Sequence, residues 1–228
     1  MIALLRYQAA ILLRSHRWIF PLIAYGLLVA VGDEGSTPLS GGLDWSAAML
    51  VLIVALLTRS MLTAEPDAAR AVVAAAAGPA RAQLAALATA LGGGAILGLA
   101  GAAFEVLASQ SVATQPASGL LAKVMAVMAD SAVLAAGLAI ALVCLLVGSA
   151  VGALCNPPLL RHPGLAMLST LAAIVLALAS NVSPASAALR EGGSLTAAHW
   201  PGGIPLAAAA AVLVITWTAS VLAAANRG

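Results

Sequence analysis

Asp130 is the residue whose chemistry asks first for an explanation. It lies about ten residues into an apolar run, Leu120–Val147. An ionised carboxylate at such a place costs several kcal/mol unless it faces protein or water, or takes up a proton. Lys123 stands two helical turns earlier on the same face. Glu105, near the outer end of the preceding apolar run, comes within reach of Lys123 across a short neutral loop, residues 109–119. These three residues suit a polar spot on a translocation path or a proton-sensitive site. They also suit a purely structural arrangement, with Lys123 paired to Glu105 and Asp130 hydrogen-bonded to a neighbouring helix.

Other chemistries lack their residues. Lys123 is the single lysine, and its setting Gly-Leu-Leu-Ala-Lys-Val lacks the glycine spacing of a phosphate-binding loop. His16, His162 and His199 are widely separated, and neither HExxH nor CxxC occurs. Cys144 and Cys155 read as reduced structural thiols. Asn156-Pro157-Pro158 resembles half of a water-channel signature without its second copy. We therefore expect no catalytic residue, no metal site and no cofactor on this chain, and no nucleic-acid partner.

The elements that must position these residues follow from composition. Of 228 residues, 63% are hydrophobic and 8% charged, against about 25% charged in a soluble domain. So little charge cannot cover a water-facing surface, and the expected solvent is lipid. The expectation is an all-α integral membrane protein with six transmembrane helices in one domain, at about 18–32, 45–62, 82–107, 120–147, 165–181 and 204–225. Pro21 is expected to mark a bend after residues 1–17, and glycines 148 and 152 to break the chain after the fourth span. Residues 1–17 read as a basic amphipathic helix in the membrane plane. Ile2, Leu5, Ile11 and Leu12 form its apolar face, and Arg6, Arg14 and Arg17 lie at the headgroups. This stretch lacks the pattern of a cleavable signal peptide. Between spans two and three, residues 63–81 hold a short helix, with Pro66 in its first turn, Asp67 at its positive end and Gly78-Pro79 as its stop. Gly94/Gly98 and Gly148/Gly152 have GxxxG spacing, suited to close packing within one subunit or to a dimer face.

Charge position sets the orientation. Arg6, Arg14, Arg17, Arg59, Arg70, Arg81, Arg161 and Arg227 fall on one side of a six-span arrangement, leaving Lys123 and Arg190 on or near the other. The positive-inside rule makes the arginine side cytoplasmic, with both termini there. Trp18, Trp45 and Trp200 fall near span ends, where interfacial anchors belong. Thr170, Ser169, Asn181, Thr216 and Thr218 are the polar candidates for lining a path through otherwise apolar spans.

In this order of parts the chain resembles the permease subunit of an ABC-2 type transporter, the type V exporter group. MIALLRYQAAILLRSHRWIF resembles the family's interfacial helix leading into span one. LTAEPDAARAVVAAAAGPARAQLA (62–85) resembles its cytoplasmic coupling helix, with Glu65-Pro66-Asp67 and Arg70 as the most specific piece. The resemblance implies an exporter powered by separate ABC ATPase subunits, which hold the ATP and magnesium. It also implies a second permease subunit, identical or not, and residence among the lipids of a bacterial plasma membrane. Glu65, Asp67 and Arg70 would then touch the ATPase; helix capping and a solvated face are the alternative roles. The family often carries a re-entrant helix pair before the last span, of which residues 182–203 would hold a small version. The apolar spans suit a hydrophobic or amphiphilic cargo, such as an antibiotic or lipid-like compound. A different class of function, a proton-coupled secondary transporter or channel built on Asp130 and needing no ATPase, fits the same spans.

Overall fold

A computed structural model describes residues 2–16, 18–32, 39–108, 131–155, 163–193 and 203–225. Over these the chain is all helical: α1 (Ile2–Arg14), α2 (Ile19–Gly32), α3 (Leu39–Leu62), α4 (Asp67–Ala77), α5 (Pro79–Ala108), α6 (Ser131–Leu154), α7 (Pro163–Ala179), α8 (Pro184–Gly193) and α9 (Gly203–Ala225). Four of them, α3, α5, α6 and α9, are long and apolar enough to cross a membrane. The pairs α1–α2 and α7–α8 are bent by 72° and 43°, and would raise the total to six if each pair made one span.

The core is built around α3. Leu50, Val51, Ile53, Val54, Ala55, Leu57 and Thr58 are all buried, so more than half of this helix's circumference is enclosed, and the stripe through Trp45, Leu52 and Leu56 is only partly covered. Its closest neighbour is α6. A Cβ on Gly148 would come within 2.7 Å of the Val51 carbonyl oxygen, and one on Gly152 within 2.9 Å of that of Ala55. The glycines expected to break the fourth span instead continue it to Leu154, because their missing side chains let two backbones touch. Gly94 and Gly98 likewise sit against Val54 and Leu50. Both GxxxG spacings are thus spent on packing inside the chain.

The contacts fix directions. Leu43 meets Gly137, and Thr58 meets Gly152, so α3 and α6 run parallel. Gly42 meets Glu105 while Val54 meets Gly94, so α5 runs antiparallel to both. Trp217 on α9 donates its indole N–H to Ser149 Oγ (3.3 Å), and Gln83 on α5 donates to Ser220 Oγ (2.9 Å). These contacts gather the C-terminal ends of α3, α6 and α9 with the N-terminal end of α5.

Two further expected boundaries move. The second span begins at Leu39 rather than residue 45. Gly42, which reads as a turn residue, lies inside the helix because the Glu105 side chain occupies the space a Cβ would fill. The bend before the first span falls ahead of Pro21, which sits in the first turn of α2 where a missing N–H is harmless. His16 makes the bend, in the left-handed region at φ 54°. The carbonyls left open at the end of α1 find donors there. Ser15 Oγ donates to Leu12 O (3.1 Å), and the Trp18 indole to Leu13 O (3.4 Å).

Candidate functional site

Sequence reasoning singled out two groups of residues, one in the spans and one at the arginine end. Asp130 and Lys123 lie outside the described residues. Glu105 is buried on α5, packed over Gly42 of α3. Nearby, the Tyr25 hydroxyl of α2 donates to Ser46 O (3.3 Å), so three helices meet in a buried polar region at the end away from the arginines. The path-lining candidates mostly satisfy themselves. Thr170 and Ser169 donate to Ala166 O (2.6 and 3.0 Å), Thr216 to Leu213 O (2.9 Å) and Thr218 to Val214 O (2.8 Å). Asn181 Oδ1 accepts from Arg190 Nη1 (2.8 Å), which ties the end of α7 to α8. Ala185 and Ala188 insert α8 against the α3–α6 core.

The arginine end is more fully assembled. α4 starts after Pro66, which sits at the N-cap rather than in the first turn, and Asp67 opens the helix. Gly78, at φ 88°, closes it with its N–H on Ala74 O (2.9 Å), and Pro79 begins α5. This is a two-sided stop, so α4 is a separate element between two long helices. It packs on α5. Ala68, Ala71, Val72, Ala75 and Ala76 are exposed, a stripe at i, i+3, i+4, i+7 and i+8 spacing. Its outward face is thus apolar, small and smooth.

Arg70 turns inward. Its Nη2 donates to Leu62 O (2.6 Å), a charged donor on one of the carbonyls that α3 leaves open at its end. It braces α4 against α3. Glu65, in the turn before α4, accepts from Gln8 Nε2 of α1 (3.4 Å). Gln8 is 2% exposed, the one buried residue of α1. The face of α1 turned to the bundle therefore centres on an amide; of the expected apolar face, Leu12 packs against the core while Ile2 is 76% exposed. Tyr7 lies beside the same carboxylate. Burial first, and then the Glu65 charge, raise its phenol above the ordinary value of 10.0. Arg6 and Arg14 are exposed on α1. Arg17 lies outside the described residues, as does the side chain of Asp67.

Glu65 and Arg70 are thus brought into one junction joining α1, α3 and α4. Gln8 and Tyr7 belong to it and were missed, because Gln8 is 57 positions from its partner and nothing local marks it. Among the described residues no cluster of His, Cys, Asp or Glu could hold a metal ion. No family model matches the chain, and neither a curated protein nor a solved structure matches it.

Proposed function

We propose that this chain is the membrane-spanning subunit of an ATP-driven exporter of the ABC-2 permease kind, driven by an ATPase on another polypeptide. The observation that carries the reading is α4: a short helix, stopped at both ends, braced by Arg70 against the end of α3 and tied through Glu65 to α1, with an exposed apolar stripe outward. A soluble partner that grips this stripe would move α1, α3 and α5 together, which is what a coupling helix must do. In this reading α1 lies in the membrane plane and α2 is the first crossing. The bent α7–α8 pair is the fifth crossing, broken between Ala179 and Pro184, and α9 is the sixth. The arginine end, with Arg59, Arg70 and Arg81, faces the cytoplasm of a bacterial cell, as do both termini. A second permease subunit completes the pathway. The self-satisfied hydroxyls of α7 and α9 leave its walls apolar, in keeping with a hydrophobic or amphiphilic cargo.

The test is co-purification. A tagged chain expressed at native level should bring down an ABC ATPase, and Val72→Glu, which puts a charge in the middle of the stripe, should release it while the chain still inserts. An ATPase that stays bound to Val72→Glu, or proton-driven flux in proteoliposomes without any ATPase, overturns the proposal.

A further inference from the structure

The arginine end also holds a groove that the junction does not use. It lies between the first turns of α5 and the last turns of α9, with a volume of about 340 Å³, and is lined by Leu84, Val214, Trp217, Thr218, Val221 and Leu222. That volume is within the roughly 300–1,000 Å³ of ligand clefts. Its wall is apolar for a structural reason. The Trp217 N–H is turned away to Ser149 Oγ (3.3 Å), and the Thr218 hydroxyl to Val214 O (2.8 Å). Both side chains therefore present only carbon to the groove, and Trp217 is held rigid.

One turn before Leu84, on the same face of α5, stands Arg81, which is exposed. Among the described residues no acceptor or carboxylate engages it. The Gln83–Ser220 bond sets the antiparallel register, so Arg81 stands at the end of the groove near Leu222, with Val214 at the far end. A fixed apolar slot with a cation at its aqueous end is complementary to one kind of molecule. We propose that Arg81 and this groove bind an anionic phospholipid from the leaflet on the arginine side. Its phosphate sits on the guanidinium and one acyl chain lies along Leu84, Trp217 and Val214. A second copy of the chain fits less well. A two-fold axis along the membrane normal would bring another Arg81 to the same depth, setting like charges against each other.

The full chain, purified in detergent, is titrated with phosphatidylglycerol or with phosphatidylcholine of the same acyl chains, and bound lipid is counted by native mass spectrometry. Phosphatidylglycerol should bind one per chain, on the order of ten-fold tighter than phosphatidylcholine. Arg81→Gln should remove that preference and Arg81→Lys keep most of it. Thr218→Phe, which fills the groove and leaves Arg81 in place, should weaken both lipids. Both positions are exposed, so these variants are expected to fold. Equal binding of the two lipids, or a preference that survives Arg81→Gln, overturns the headgroup assignment. Unchanged binding to Thr218→Phe overturns the acyl-chain assignment. Efficient disulfide cross-linking of Leu222→Cys between copies in the membrane would show that a second chain covers the groove, and would sink the proposal altogether. None of these outcomes depends on an ATPase.

Discussion

Gly148 and Gly152 show what single residues contribute here. Lipid gives helices no hydrophobic reason to associate, so α3 and α6 must gain their contact from close approach. A Cβ at Gly148 would meet the Val51 carbonyl oxygen at 2.7 Å and its Cα at 3.1 Å, which is backbone that cannot rotate away. Gly148→Ala should therefore destabilise the chain by about 1–3 kcal/mol. Gly26→Ala, where nothing lies within 4 Å, should be neutral or slightly stabilising through helix propensity. Thermal unfolding in detergent, followed for both variants, checks the contrast. Sequence spacing alone marked these glycines as candidates for close packing. It also suggested a helix break, because a glycine that ends a helix and one that lets two helices touch look alike until the partner is known.

At the scale of elements, the long helices were legible and their junctions were not. Continuous apolar runs of Ala, Leu, Val and Gly located α3, α5, α6 and α9, since only the length of the run matters for a crossing. The start of α3 was misplaced because Ser40, Gly41 and Gly42 have turn-forming composition, while the Glu105 side chain that fills the space beside Gly42 comes from a distant helix. The α1–α4 junction was invisible for the same reason. Gln8 reads as a polar residue on the edge of an amphipathic helix, and only the fold brings Glu65 to it. Its electrostatics can be measured. The raised Tyr7 pKa means that the folded state favours the neutral phenol. The associated stabilisation is present below the ordinary value of 10.0 and is lost as pH rises through the higher folded value. In a Tyr25→Phe background, which leaves one phenol, ultraviolet difference titration should place Tyr7 above 10.0. Glu65→Gln should lower it part of the way, leaving the share due to burial. A titration indifferent to Glu65→Gln would mean that α1 and the α4 turn are not in contact.

The whole molecule has two chemically distinct ends. One carries Arg59, Arg70, Arg81 and the α1–α4 junction; the other carries Trp45, Asp44, Glu105 and the Arg190-pinned α8. If a bilayer separates them, Val72 and Leu107, which are 69% and 52% exposed, lie on opposite sides of it. Single cysteines at these sites should respond to an impermeant maleimide in opposite fashion. Leu107→Cys should label in intact cells and Val72→Cys only in inverted vesicles. The native Cys144 and Cys155 are buried and should stay silent in both. Labelling of both sites from one side would mean that the two ends share a compartment. Arginine placement made this polarity legible from the chain alone, because its physical cause, the cost of moving guanidinium groups across lipid, acts on residues one at a time.

The parallel embrace of α3 and α6 has a consequence for how the protein is made. Val51, Ala55 and Thr58 leave the ribosome long before Gly148 and Gly152, so the ridge of α3 must wait in the lipid while α4 is synthesised and α5 is inserted. During translation α3 has only α2 and α5 to lean on. The interval before α6 arrives is then a time of vulnerability to membrane proteases, and a deciding step of biogenesis is whether two glycines find the strip of bare backbone that has been waiting for them.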